Sequence, residues 1–243
     1  MGDMFERDIH EYDTLVYGGK IFTKSQLDEI EKGIQRGLSK EQIDMFARSE
    51  LSVYQMAEIR YGFENGLTID EVALYADPAF RAEQMERIRW GLEDGLSKEK
   101  VSFYAKPEFD ADQMDEIRVG LENGLSEEQV AMYAKIDFDY LQMREIRYGF
   151  KDRLSEEQVA LYAKPEFDWL QMELIRHGFV VYDLSIEQVK VYARSDFDNN
   201  QMYEVIEGYK NGLSIDQVKK YAKPEYDDDR MREVRKSLQR ENE

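Results

Sequence analysis

One spacing constrains this chain more than any other feature. Methionine recurs at Met56, Met85, Met114, Met143 and Met172, 29 residues apart each time, and Leu27 holds the same slot one period earlier. Met202 follows after 30 residues and Met231 after 29 more. A fixed period of this length marks a stack of supersecondary units, each too small to bury its apolar face alone.

The unit Phe109–Asp137 carries two helix starts. Asp110 caps the first helix and Gln113, three residues on, completes a capping box; Phe109 and Met114 flank it as a hydrophobic staple. That helix is predicted to run to Asn123 and to stop at Gly124, since glycine tolerates the left-handed turn after a helix. Ser126 and Gln129 then repeat the box, with Leu125 and Val130 as the staple. Prolines such as Pro107, Pro165 and Pro224 limit the second helix. A helix of roughly nine residues is marginal by itself and leans on its neighbours. The cap residues recur as Thr23, Ser52, Asp110, Asp139, Asp168, Asp198 and Asp227 for first helices, with Arg81 the exception. Second-helix caps are Ser39, Thr68, Ser97, Ser126, Ser155, Ser185 and Ser214. Nothing in this pattern favours strands. The predicted fold is all-α, an α-solenoid of about seven and a half two-helix repeats.

Along the chain, residues 1–21 read as an N-terminal cap, seven repeats occupy 22–225, and 226–243 form a C-terminal half-repeat cap. Within the first segment Asp3–Tyr12 reads as helical, Tyr17 aligns with the repeat tyrosine, and Gly18-Gly19 replaces the usual Ala-Lys. An unbroken repeat argues for one elongated body. The sixth repeat has one extra residue within Phe179–Leu184, where Val180-Val181-Tyr182-Asp183 is expected to distort the stack and expose an apolar bump.

At 100° per residue Met114, Ile117 and Leu121 form one apolar stripe that must meet the second helix. A glycine recurs on its flank at Gly33, Gly62, Gly91, Gly120, Gly149, Gly178 and Gly208. Glycine in mid-helix costs roughly 1 kcal/mol relative to alanine, so its recurrence suggests close approach between the backbones of adjacent first helices. The second helix places Val130, Tyr133 and Ala134 on one face and Met132 on the other.

Binding chemistry concentrates in two neighbouring slots. Arg60, Arg89, Arg118, Arg147 and Arg176 run through five consecutive repeats, and the next residues are Tyr61, Trp90, Val119, Tyr148 and His177. The second slot lies opposite the apolar stripe and is expected to face solvent. Stacking would align both into an arginine–aromatic ladder of residue types that dominate binding hot spots. The competing reading pairs each arginine with an acid of its own or an adjacent repeat, such as Glu116, Glu145 or Asp110, and lays each aromatic on a neighbour's aliphatic stem. A second row, Met45, Leu74, Phe103, Met132, Leu161 and Val191, reads as packing between second helices or as a surface for self-association.

No catalytic constellation emerges. His10 and His177 are the only histidines and lie far apart; the acidic loops lack calcium-loop spacing; every glycine fits a helix flank or end. The expectation is a protein that is not an enzyme and uses no cofactor or metal.

Charge then narrows the partner. The chain of 243 residues carries a net charge of −19 and no cysteine. Such a surface repels phosphate backbones, so direct nucleic-acid binding is disfavoured and a protein partner with a basic surface is expected. Absence of cysteine suits a cytoplasmic setting, and neither a signal peptide nor a membrane-length apolar run is apparent.

The unit Gln-Met-x-Glu-Ile-Arg-x-Gly-Leu-Glu-x-Gly-Leu-Ser-x-Glu-Gln-Val-x-x-Tyr-Ala-Lys-Pro-Glu-Phe-Asp resembles repeats in uncharacterised proteins of Clostridia-like Firmicutes and their phages and mobile elements, over residues 22–236. The resemblance implies an accessory protein that modulates or antagonises host machinery. The functional expectation is therefore an acidic scaffold that inhibits a basic, nucleic-acid-binding host defence protein. The alternative is a sponge for a nucleotide signal, its phosphates held by the arginines and its base stacked on Tyr61, Trp90 or Tyr148.

Overall fold

The computed structural model describes the backbone of residues 14–242, with side chains from Tyr17 onward. It divides into two compact units, Met1–Gly124 and Leu125–Glu243. The first contains a hairpin of β1 (Thr14–Tyr17) and β2 (Lys20–Thr23), then α1 (Lys24–Gln35), α2 (Lys40–Phe46), α3 (Val53–Glu64), α4 (Ile69–Val72), α5 (Ala82–Glu93), α6 (Lys98–Val101) and α7 (Ala111–Glu122). The second contains α8 (Glu127–Tyr133), α9 (Tyr140–Lys151), α10 (Glu156–Ala160), α11 (Trp169–Val180), α12 (Ile186–Val189), α13 (Asn199–Lys210), α14 (Ile215–Val218) and α15 (Asp228–Glu241). Odd-numbered helices are the first helices of the repeats. They stack in sequence, α1 on α3, α5 and α7 in one unit and α9 on α11, α13 and α15 in the other. The fold is an α-solenoid of helical repeats.

The capping signals hold along the stack, with Arg81 the exception among first-helix caps. Gln113 accepts from the Asp110 N–H at 2.9 Å while the Asp110 carboxylate accepts from the Gln113 N–H at 2.8 Å. Arg81 supplies no side-chain cap, although Gln84 still accepts from its N–H at 2.6 Å. The same glutamine has a second role that the capping pattern conceals. Its amide nitrogen donates forward to the next repeat: Gln55 to the Phe80 carbonyl at 2.6 Å, Gln142 to Phe167 at 2.6 Å and Gln201 to Tyr226 at 2.6 Å. One buried side chain thus satisfies its own helix start and the backbone of the following staple.

The apolar stripe is buried as expected: Met85, Ile88, Met143 and Ile146 are fully buried, as are Val101 and Tyr104 of the second helix. The second helices are shorter than expected, with α4, α6, α12 and α14 four residues each. After their valine the chain tightens into i→i−3 bonds, such as Tyr75 N–H to the Val72 carbonyl at 3.1 Å, and this turn swings the tyrosine inward.

That tyrosine explains the mid-helix glycine and corrects the expectation of backbone contact between first helices. A Cβ added at Gly91 would lie 1.9 Å from the Tyr104 hydroxyl oxygen; Gly62 meets Tyr75, Gly149 meets Tyr162, Gly178 meets Tyr192 and Gly208 meets Tyr221 in the same way. Glycine is required because a phenol of the same repeat occupies the space of its missing side chain. Each hydroxyl points at a carbonyl of the first helix, Tyr221 reaching that of Glu204 at 3.2 Å. Burial pushes these phenols well above their ordinary range, so they remain donors.

The N-terminal segment departs from the sequence reading. Gly18 and Gly19 adopt φ of +56° and +77°, the two-residue turn that matches strand twist, and pair Tyr17 with Lys20 and Thr14 with Thr23. Tyr17 therefore sits in a strand, its ring edge-on to Phe22 at 6.5 Å, and not in the place of the repeat tyrosine. Two glycines able to take positive φ, flanked by β-branched and aromatic residues, outweigh the weak similarity to the helical unit. The helix expected over 3–12 lies outside the described residues.

The extra residue of the sixth repeat is absorbed at the end of α11. Leu184 N–H bonds the Gly178 carbonyl at 2.9 Å and Asp183 takes φ +51°, while α11 still packs on both α12 and α13. The stack is preserved; the bump is real, with Val180 and Val181 both exposed.

Candidate functional site

The arginine slot does not face solvent. Arg60, Arg89, Arg147 and Arg176 are buried, and Arg118 is partly so. They stand on the flank of the apolar stripe, and the preceding first helix covers that flank. In the first unit Arg60 Nε donates to Glu29 on α1 at 2.9 Å and its Nη1 to Glu64 at 2.5 Å. Arg89 repeats this with Glu58 on α3 and Glu93, both at 2.9 Å. In the second unit Arg176 reaches Glu145 at 3.0 Å and Asp152 at 2.8 Å, and Arg235 reaches Glu204 at 2.8 Å. The ion-pair reading of the arginines describes these contacts.

The interval between partners is 31 residues, and two departures follow from sequence. The position 31 before Arg118 is Arg87. Arg118 turns instead to Asp115 at 2.7 Å and Glu122 at 2.5 Å, and Asp115 also lies 3.6 Å from Arg87. Ile206 replaces the arginine of its repeat, and the matching acid position, displaced by the extra residue, is Leu174. An acid and its arginine are thus exchanged together for aliphatic residues. This correlation was readable from the sequence and escapes a search for motifs within single repeats.

The aromatic slot is placed by the same guanidiniums. Tyr61, 42% exposed, has the Arg60 guanidinium 4.3 Å from its ring centre and that of Arg89, from the next repeat, at 5.7 Å. Trp90 lies between Arg87 at 4.6 Å and Arg118 at 5.7 Å. Tyr148 lies between Arg147 at 5.0 Å and Arg176 at 5.6 Å. Trp90, Tyr148 and His177 are half-buried. Each ring keeps part of its surface in solvent while cations from two successive repeats fix its orientation. His177 Nε2 is 3.4 Å from an Arg176 nitrogen; burial, then that positive charge, lowers its pKa from the ordinary histidine value. The row on the second helices, from Met45 to Val191, is half-buried throughout.

Further apolar side chains reach the surface in the first turn of three first helices, a slot that the sequence reading passed over. Tyr54 on α3 is 73% exposed, and Tyr140 on α9 and Leu170 on α11 are exposed as well. Near the last of these an open groove of about 540 Å³ is lined by the cap residues Asp168, Asp198 and Asp227 together with Asp196 and Asn199. Among the described residues no group of three or more histidines and carboxylates could hold a metal ion, and no helix is long and apolar enough to cross a membrane. No protein-family model matches this chain, and no curated protein or solved structure matches it either.

Proposed function

We propose that this chain is a non-enzymatic binding scaffold, an acidic solenoid that captures a protein with a basic surface through the arginine-clamped aromatic rings of its ladder positions in each unit. The observation that carries the reading is the placement of Tyr61, Trp90 and Tyr148, each partly exposed and each clamped between guanidiniums. The repeat does not need an aromatic there, since the same slot holds Lys32, Val119 and Glu207 in other copies. A net charge of −19 accelerates encounter with a cationic partner, and pre-oriented rings then supply contact area at low entropic cost. On the resemblance of the repeat, the partner is a nucleic-acid-binding host protein that this chain inhibits by occupying its basic groove. A nucleotide ligand is disfavoured, because its phosphates would have to displace Glu58 and Glu93 from Arg89, and Glu145 and Asp152 from Arg176.

The experiment is capture from a host lysate by the wild-type chain and by Trp90→Ala/Tyr148→Ala, at low and high salt, with mass spectrometry of what is retained. Basic proteins held by the wild type, released by salt and absent from the folded double variant are expected. Equal retention by both chains would overturn the ladder as the binding surface.

A further inference from the structure

We propose that the first turns of α9 and α11 form a second docking face, which takes the apolar side of a basic amphipathic helix. The proposal rests on the reading of the partner as basic but not on the ladder. On α9 the first two residues are Tyr140, exposed, and Leu141, half-buried; on α11 they are Trp169, half-buried, and Leu170, exposed. The two helices pack side by side, so equivalent slots on them are neighbours. The chain contains its own control for this position. The same two slots hold Ala82-Glu83, Ala111-Asp112 and Asn199-Asn200 in helices of equal length, the last two with the same aspartate cap. Folding of the repeat therefore does not call for apolar residues here, yet four stand together on adjacent helices and remain partly open to water. Apolar surface grouped in this way within a polar rim marks an interaction surface.

The rim selects the occupant. Asp137 and Asp139 precede α9, Glu166 and Asp168 precede α11, and all four are exposed. The loop cations Lys135 and Lys164 lie over the rings of Phe138 and Phe167. Asp139 and Asp168 each use one carboxylate oxygen to cap their own helix, accepting at 2.8 Å, which leaves the other oxygen for an incoming donor. An apolar centre bordered by carboxylates is complementary to a helix with leucine-like residues along one face and lysine or arginine at its margins.

The two tryptophans of the chain are Trp90 and Trp169, so each can be made the sole indole. The probe is a labelled 18-residue helix of leucine and lysine, with a leucine–glutamate peptide and a lysine–serine peptide as comparisons. In Trp90→Phe the emission of Trp169 should shift to the blue on saturable binding of the leucine–lysine probe alone. Trp169→Asn/Leu170→Asn, which copies the first turn of α13, should weaken binding by about tenfold or more while circular dichroism is unchanged. Tyr61→Ala/Trp90→Ala should leave this binding intact, so loss of the ladder and loss of the face are separable. Undiminished binding to Trp169→Asn/Leu170→Asn overturns the proposal, as does equal binding of either comparison peptide. Concentration-dependent dimerisation abolished by the same variant would assign the face to a second copy of the chain and overturn it too.

Discussion

Replacing Gly91 by alanine isolates the contact on which each repeat closes. Helix propensity alone favours the change by about 1 kcal/mol. The added Cβ, however, would sit 1.9 Å from the Tyr104 hydroxyl oxygen and 3.3 Å from its Cζ and from Leu96 Cδ1. Tyr104 is fully buried, so its ring has to shift by more than an ångström within a filled core, which costs roughly 1–3 kcal/mol. Its bond to the Arg87 carbonyl is already long at 3.5 Å and adds little to the loss. The steric cost wins. Gly91→Ala is expected to destabilise the chain by up to about 2 kcal/mol, lowering Tm by up to roughly 8 °C. In a Tyr104→Phe background the nearest atom is the ring carbon, and the same alanine should be close to neutral, giving a coupling of up to about 2 kcal/mol. Urea titrations of the four proteins by far-ultraviolet circular dichroism measure it. A stabilising Gly91→Ala would refute the argument. An alanine equally harmful in both backgrounds would return the cause to backbone contact between first helices.

Three further outcomes are expected. Arg89→Ile alone leaves the half-buried Glu58 without its partner and should cost roughly 1–3 kcal/mol, whereas Glu58→Leu/Arg89→Ile, which copies Leu174 and Ile206, should recover most of that in the same urea assay. Arg153 takes φ +66° where five other repeats place glycine, so Arg153→Gly should raise the urea midpoint by an amount worth about 1 kcal/mol. His177 should titrate below the ordinary histidine range by NMR, because burial and then Arg176 disfavour its charged form. With the folded pKa depressed, the stability it contributes is present above that ordinary value and is lost as pH falls through the folded one. His177→Phe should remove this component of the acid dependence.

Much of the repeat was legible because its determinants are local. A cap, its glutamine three residues on and a flanking staple interact within one turn, so Ser126 with Gln129 and Asp110 with Gln113 announce their helices wherever the chain goes. The 29-residue period likewise predicts that like faces stack. The hairpin at Gly18-Gly19 is local too: its two positive-φ glycines encode the turn, while the likeness of Tyr17 to the repeat tyrosine points to a helix.

What the tertiary structure alone decided are the distances across repeats. A helical wheel describes one cylinder and does not say what covers the flank that carries Arg89 and Arg176; packing against the preceding first helix buries them on Glu58 and Glu145. The same neighbour turns Tyr61 and Tyr148 from free aromatics into rings held between two cations. Glycine at position 91 reads equally well as backbone contact or as a space for a ring until Tyr104 is placed against it. Sequence determines each helix because its hydrogen bonds close within a few residues, whereas the burial of a flank depends on a partner 29 to 31 residues away and on the angle at which it packs.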